Sequence, residues 1–180
     1  MNKEEVIGLA ILNVTGRRWL LTLHLLLSAI MFGVTVAFLV LGITAANTND
    51  DGVLKACYTS MHVLAKTAVP GSTFGTLVTG VLLSVLTQWG LFKFYWIIAK
   101  EGLTLLSIVL GPIGMYAWTL KAVTLTSAEG LHAARDPAFI VNSGQLWIGI
   151  IVQMISLAAM FVISVFKPWG PRKQKNRKTT

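Results

Sequence analysis

Trp19-Leu20-Leu21-Thr22-Leu23-His24-Leu25-Leu26-Leu27-Ser28-Ala29-Ile30-Met31-Phe32-Gly33 opens an apolar run that continues to Thr44 and contains one ionisable group, His24. At 1.5 Å per residue the run reaches about 39 Å, more than the roughly 30 Å of hydrocarbon in a bilayer. Three further stretches, 65–86, 94–120 and 146–166, have the same character, and the third carries Lys100 and Glu101 at membrane depth. The expectation is an all-α integral membrane protein of the cell membrane. It is a multi-pass, four-transmembrane-helix bundle forming a single membrane domain over 1–180.

Composition agrees. The chain is 54% hydrophobic and 12% charged with a mean hydropathy of +0.70, about half the charge density of a soluble domain. The first run exceeds a signal-peptide core and lacks a small-x-small cleavage site after it, so it is expected to remain as a helix. Cys57 is the single cysteine, which excludes an intramolecular disulfide.

The net charge of +8 does not point to nucleic acid, because the cations sit at the ends of apolar segments rather than among stacking aromatics. Ten of them (Lys3, Arg17, Arg18, Lys93, Lys167, Arg172, Lys173, Lys175, Arg177, Lys178) fall on one side of the predicted bundle. Only four (Lys55, Lys66, Lys121, Arg135) fall on the other. The positive-inside rule then puts both termini in the cytoplasm. Residues 1–15 read as an interfacial segment, and 167–180 as a basic cytoplasmic tail lying against anionic lipid.

Local signals organise the connections. Asn47-Thr48-Asn49-Asp50-Asp51-Gly52 is a turn cluster in which Asp50 or Asp51 caps a helix starting near Val53. From Val53 to Gln88 such a helix reaches about 54 Å, too long for one span. Pro70-Gly71 is its expected kink, leaving Val53 to Val69 at the outer interface. Trp89, Tyr95 and Trp96 mark an aromatic belt at the inner face, and Lys121 to Gly144 reads as the longest outer loop.

Steps of three and four place His24, Ser28, Met31 and Thr35 on one face of the first helix. The same count gives His62, Lys66, Thr73, Thr76, Gly80, Ser84 and Thr87 on the second. The third shows Lys100, Thr104, Ser107, Gly111, Gly114, Trp118 and Lys121, and the fourth Gly149, Gln153 and Ser156. Small and hydroxyl residues serve helix packing in membranes, but packing needs no ionisable group. His24 and Lys100 each lie about 8 to 10 Å from the inner boundary and can be neighbours, with Glu101 turned about 100° away. His62 lies near the outer headgroups, within reach of Lys66, Lys121, Trp118 and His132, and cannot meet His24 within one protomer.

The stretch Leu23 to Gly33 resembles the opening helix of small bacterial membrane proteins of the copper-resistance-D-like type, with Leu-His, a small residue, then an aromatic and glycine. The ending Lys167-Pro168-Trp169-Gly170 is similar to that of four-helix relatives. The resemblance covers helix 1 and the tail and implies metal or haem handling by His24.

The leading expectation is therefore a membrane haem protein of b-type cytochrome character. Histidines His24, His62 and His132 are the candidate ligands of haem b, Lys66, Lys100 and Lys121 the candidate propionate partners, and Glu101 the proton carrier. Sites at two depths make an electron path across the membrane with quinone as partner. Three histidines fall short of two bis-histidine sites, so a site is five-coordinate, His132 assists, or a homodimer shares ligands. A copper transporter or chaperone is the alternative, with Cys57, Met61 and His62 as outer metal ligands and Met31 and Met115 along a path. A non-catalytic assembly subunit, whose Lys100-Glu101 pair sets helix register, is the third. No nucleophile elbow, phosphate-binding glycine loop or zinc-ligand spacing occurs.

Overall fold

The computed structural model describes residues 13–86 and 94–170, and the described chain is all-helical. Residues 1–12 of the expected interfacial segment, the Gln88 to Lys93 connection and the tail beyond Gly170 lie outside the described residues, while Val14 and Thr15 belong to the first helix.

Helix α1, Val14–Asn47, starts where Asn13 Oδ1 accepts from Gly16 N–H at 2.7 Å. Its 34 residues extend about 51 Å. Helix α2, Asp51–Lys66, is capped by Asp50, whose carboxylate accepts from Gly52 and Val53 N–H. The neighbouring Asp51 does different work. Its carboxylate accepts from Leu131 N–H at 2.6 Å and ties the start of α2 to a segment eighty residues later. Helix α3, Ala68–Val85, follows a break at Thr67.

That break corrects the expected kink at Pro70-Gly71. Proline lacks the N–H that would bond the carbonyl four residues back, here Lys66, so the helix is interrupted before the proline rather than at it. Thr67 N–H turns to the Leu64 and Val63 carbonyls, and Pro70 sits in the first turn of α3, where its missing donor costs nothing.

Helix α4, Tyr95–Ile108, runs into a π-helical turn, Val109–Met115, and on into α5, Tyr116–Glu129. Pro112 lies inside the wide turn. Widening the turn accommodates the ring without ending the helix. A 3-10 turn, Gly130–Arg135, leads to α6, Pro137–Phe166, which Asp136 caps through Ala138 N–H at 2.8 Å with Pro137 in the first position. The long outer loop expected over 121–144 is thus almost wholly helical, and the third and fourth spans are longer than hydropathy alone marked.

Four paths through these helices are long and apolar enough to cross a membrane: Val14–Asn47, Asp51–Val85, Tyr95–Arg135 and Pro137–Phe166. The end of the bundle where α1 and α4 begin and α3 and α6 finish carries Arg17, Arg18 and Lys167 and is called the basic end below. Helix α1 lies along α3 and α2, α2 along α5, and α6 along both α4 and α5.

The interior is uneven. Phe38, Ala45, Leu54, Cys57, Tyr58, Met61, Ala65, Val69, Met115, Phe139, Leu146 and Ile150 form one apolar cluster, and it occupies the half of the bundle remote from the basic end. Tyr58 and Phe139 meet edge to face inside it, with centroids 5.7 Å apart. Buried residues in the basic half include Thr73, Thr79, Ser107, Gln153 and Ser156.

Candidate functional site: two anchored imidazoles

His24 projects from α1 toward α3, where its Nδ1 lies 2.9 Å from Thr79 Oγ1. Thr79 has one hydroxyl proton, and it goes to backbone: Oγ1 is 2.7 Å from the Gly75 carbonyl and 3.1 Å from that of Thr76. A hydroxyl whose proton is committed can only accept from the imidazole. This bonding favours the tautomer in which Nδ1 donates to Thr79 and Nε2 keeps its lone pair, with the Thr76 backbone also beside the ring. Gly80 makes room for the ring, since a β-carbon there would lie 3.2 Å from His24 Cε1.

His62 repeats the arrangement on different helices. Its Nδ1, on α2, lies 3.1 Å from Thr119 Oγ1 on α5. Thr119 Oγ1 in turn is 2.6 Å from the Met115 carbonyl and 3.2 Å from the Tyr116 carbonyl. The same proton count favours the tautomer in which Nδ1 of His62 donates to Thr119 and Nε2 keeps its lone pair. Tyr116 flanks the ring at 5.2 Å between centroids, tilted by 44°. Thr119 is wholly buried, while both histidines are half-buried.

A histidine whose Nδ1–H is held by an acceptor presents Nε2 in the neutral tautomer that binds metal or haem iron. The donor chemistry at both positions thus fits an axial haem ligand, one nitrogen at each site. His24 and His62 serve different helix pairs and share no partner, as their depths require. Among the described residues, no group of three or more His, Cys, Asp or Glu side chains converges in the manner of a metal cage.

The remaining candidates fall as follows. Lys100 is half-buried near His24, close enough for its charge to act on the imidazole, and its ammonium lies 5.9 Å from the centre of the Trp96 ring. Lys167 Nζ lies at the same distance from that ring. Lys100 and Glu101 form no ion pair with one another, and Glu101 Oε1 is enclosed with no hydrogen-bond partner among the described residues. Lys66 and Lys121 are exposed, as is His132 on the 3-10 turn. Cys57 and Met61 are packed in the apolar cluster beside His62. Met31 Sδ accepts from Thr73, and Thr104 Oγ1 lies 3.5 Å from Met160 Sδ.

Sequence periodicity missed the two threonines that fix the imidazoles. Thr79 and Thr119 each lie one residue from the polar stripe counted on its helix. The signal that points to Thr79 is the adjacent Gly80, a gap in α3 wide enough for a ring. Thr119 has no comparable marker.

No family model, curated protein or solved structure matches the chain.

Proposed function

We propose that the chain is a multi-pass integral membrane protein that binds haem b through Nε2 of His24 and of His62, and moves electrons between sites at opposite ends of the bundle with quinone as partner. The observation that carries this reading is the repeated histidine–threonine pair, in which a back-bonded hydroxyl holds Nδ1–H and leaves Nε2 for iron. Structural histidines in packed helices have no need of one fixed tautomer at two separate depths.

Each site offers a single protein nitrogen. A second ligand, where one is needed, would come from the same histidine of a second protomer. Lys100, beside His24, supplies positive charge for a propionate. The basic end faces the cytoplasm by the excess of cations there, so the His24 site is the inner one.

Absorbance of the purified protein, oxidised and then reduced with dithionite, tests the proposal. A Soret band that shifts on reduction, with iron and pyridine haemochrome in stoichiometric amount, is the expected result. A protein expressed with ample haem supply that carries neither band nor iron overturns it.

A further inference from the structure

Most enclosed hydroxyls in these helices return their proton to the carbonyl four residues back, as Thr35, Ser72, Thr79, Thr104, Thr119 and Thr126 do. Thr76 and Ser107 depart from this. Their oxygens are enclosed and have no hydrogen-bond partner among the described residues, and Gln153 Oε1 is in the same condition. Ser107 is 1% exposed and Gln153 2%.

The three orphans lie at neighbouring depths of the bundle. His24 lies beside the Thr76 backbone as well as the Thr79 hydroxyl. A β-carbon at Gly111 would touch Val69 at 3.2 Å and Thr73 at 3.9 Å. Ser107 is one turn from Gly111 toward the basic end, and Thr76 one turn from Thr73 in the same direction, so the two hydroxyls are level. Gln153 is one turn from Gly149, which meets Trp118, and this puts it level with the π turn that α6 contacts. Thus the orphans occupy adjacent layers of the polar half, above His24.

In a low-dielectric interior an unpaired polar group costs more than a hydrogen bond returns, and bulk lipid offers no remedy. The usual remedy is buried water, which makes two to four bonds and serves as donor to the amide oxygen and as either partner to a hydroxyl. Direction follows from the rest of the interior. Lys100 lies seven residues before Ser107 on the same face of α4, so the polar face of α4 extends toward the basic end beside the buried Trp96 and Ile97. Toward the other end, Met115 is 1% exposed and the Trp118 indole lies across Gly114 and Gly149.

We propose that Thr76, Ser107 and Gln153 bind a cluster of internal water that is continuous with the basic end past Lys100 and His24, and that Met115 and Trp118 close it at mid-depth. The bundle is then a hydrated half-channel. Water in such a file accepts a proton from one neighbour and passes another on, which connects the buried imidazole to the basic end. The inference stands apart from haem binding, and its test needs none.

Millisecond radiolytic labelling of the full chain in nanodiscs, in H2(18)O, reads bound water directly. Met31 and Met61 are 5% and 0% exposed, but only Met31 adjoins the proposed water, through Thr73. Met31 should take up label several-fold faster than Met61. Equal rates overturn the proposal. Ser107→Ala and Gln153→Leu, checked for native helicity, should each lower Met31 labelling at least two-fold without raising the melting temperature. If the region is dry, removing an orphaned oxygen raises the melting temperature and leaves labelling unchanged, and that outcome also overturns it.

Discussion

The indole of Trp118 lies against Gly149 so closely that a β-carbon there would collide with its Cζ3 atom, while Asn142 Nδ2 donates to the Trp118 carbonyl at 2.8 Å. Helix α6 therefore holds α5 at two points, one by an absent side chain and one by a hydrogen bond. Exchanging glycine for alanine in a helix interior ordinarily gains about 0.5–1 kcal/mol. Overpacking a filled interior costs about 1–3 kcal/mol, and the rigid ring, also confined by Gly114, has nowhere to go. Gly149→Ala should therefore destabilise the protein by a net ~1–2 kcal/mol, read as a lower midpoint in denaturant unfolding from mixed micelles. A midpoint equal to or above that of the parent would contradict this packing.

Thr79→Val and Thr119→Val each remove the acceptor for one Nδ1–H. The ring then loses its fixed tautomer, and Nε2 holds the proton for part of the time. Haem affinity at the altered site should fall by roughly 10- to 100-fold, the usual effect of losing a ligand-orienting partner. Thr79→Ser and Thr119→Ser keep the acceptor and should keep the affinity. Haem titration of the four variants checks this, and serine variants as weak as the valine ones would remove the tautomer argument.

Lys100 and Glu101 adjoin in sequence without an ion pair between them. Single changes that broke a buried pair would cost about 3–5 kcal/mol each, with recovery in the double variant. Without a pair the effects should simply add. Lys100→Met and Glu101→Gln are expected to show a coupling energy below about 0.5 kcal/mol in a double-mutant cycle of thermal stability. Glu101→Gln alone should be neutral or stabilising, because one of its carboxylate oxygens, Oε1, is enclosed without a partner among the described residues. A coupling above about 1 kcal/mol would restore the ion pair.

Orientation is open to a direct assay. In a Cys57→Ser background, Gly170→Cys places a thiol just past the exposed end of α6. It should resist an impermeant maleimide in intact cells and react once the membrane is opened. Labelling in intact cells would reverse the assigned topology.

The sequence by itself determined that this is a helical chain with four membrane-length apolar paths, because hydropathy over some twenty residues is a local sum that needs no knowledge of neighbours. It also put Lys100 at the depth of His24, since helical rise alone sets how far each residue lies from the boundary. Asp50 was legible as a cap for the same local reason. The break at Thr67 was displaced from Pro70 because a proline acts through the carbonyl four residues behind it. Pro112, by contrast, was absorbed in a π turn by packing against α3 and α6. Only the tertiary structure chose Thr79 for His24, Thr119 for His62 and Leu131 for Asp51, and left the Thr76 and Ser107 hydroxyls and Gln153 Oε1 without partners among the described residues. Those outcomes depend on which helices adjoin and at what register, where a shift of one residue turns a side chain by about 100°, and no local pattern in the chain encodes that choice.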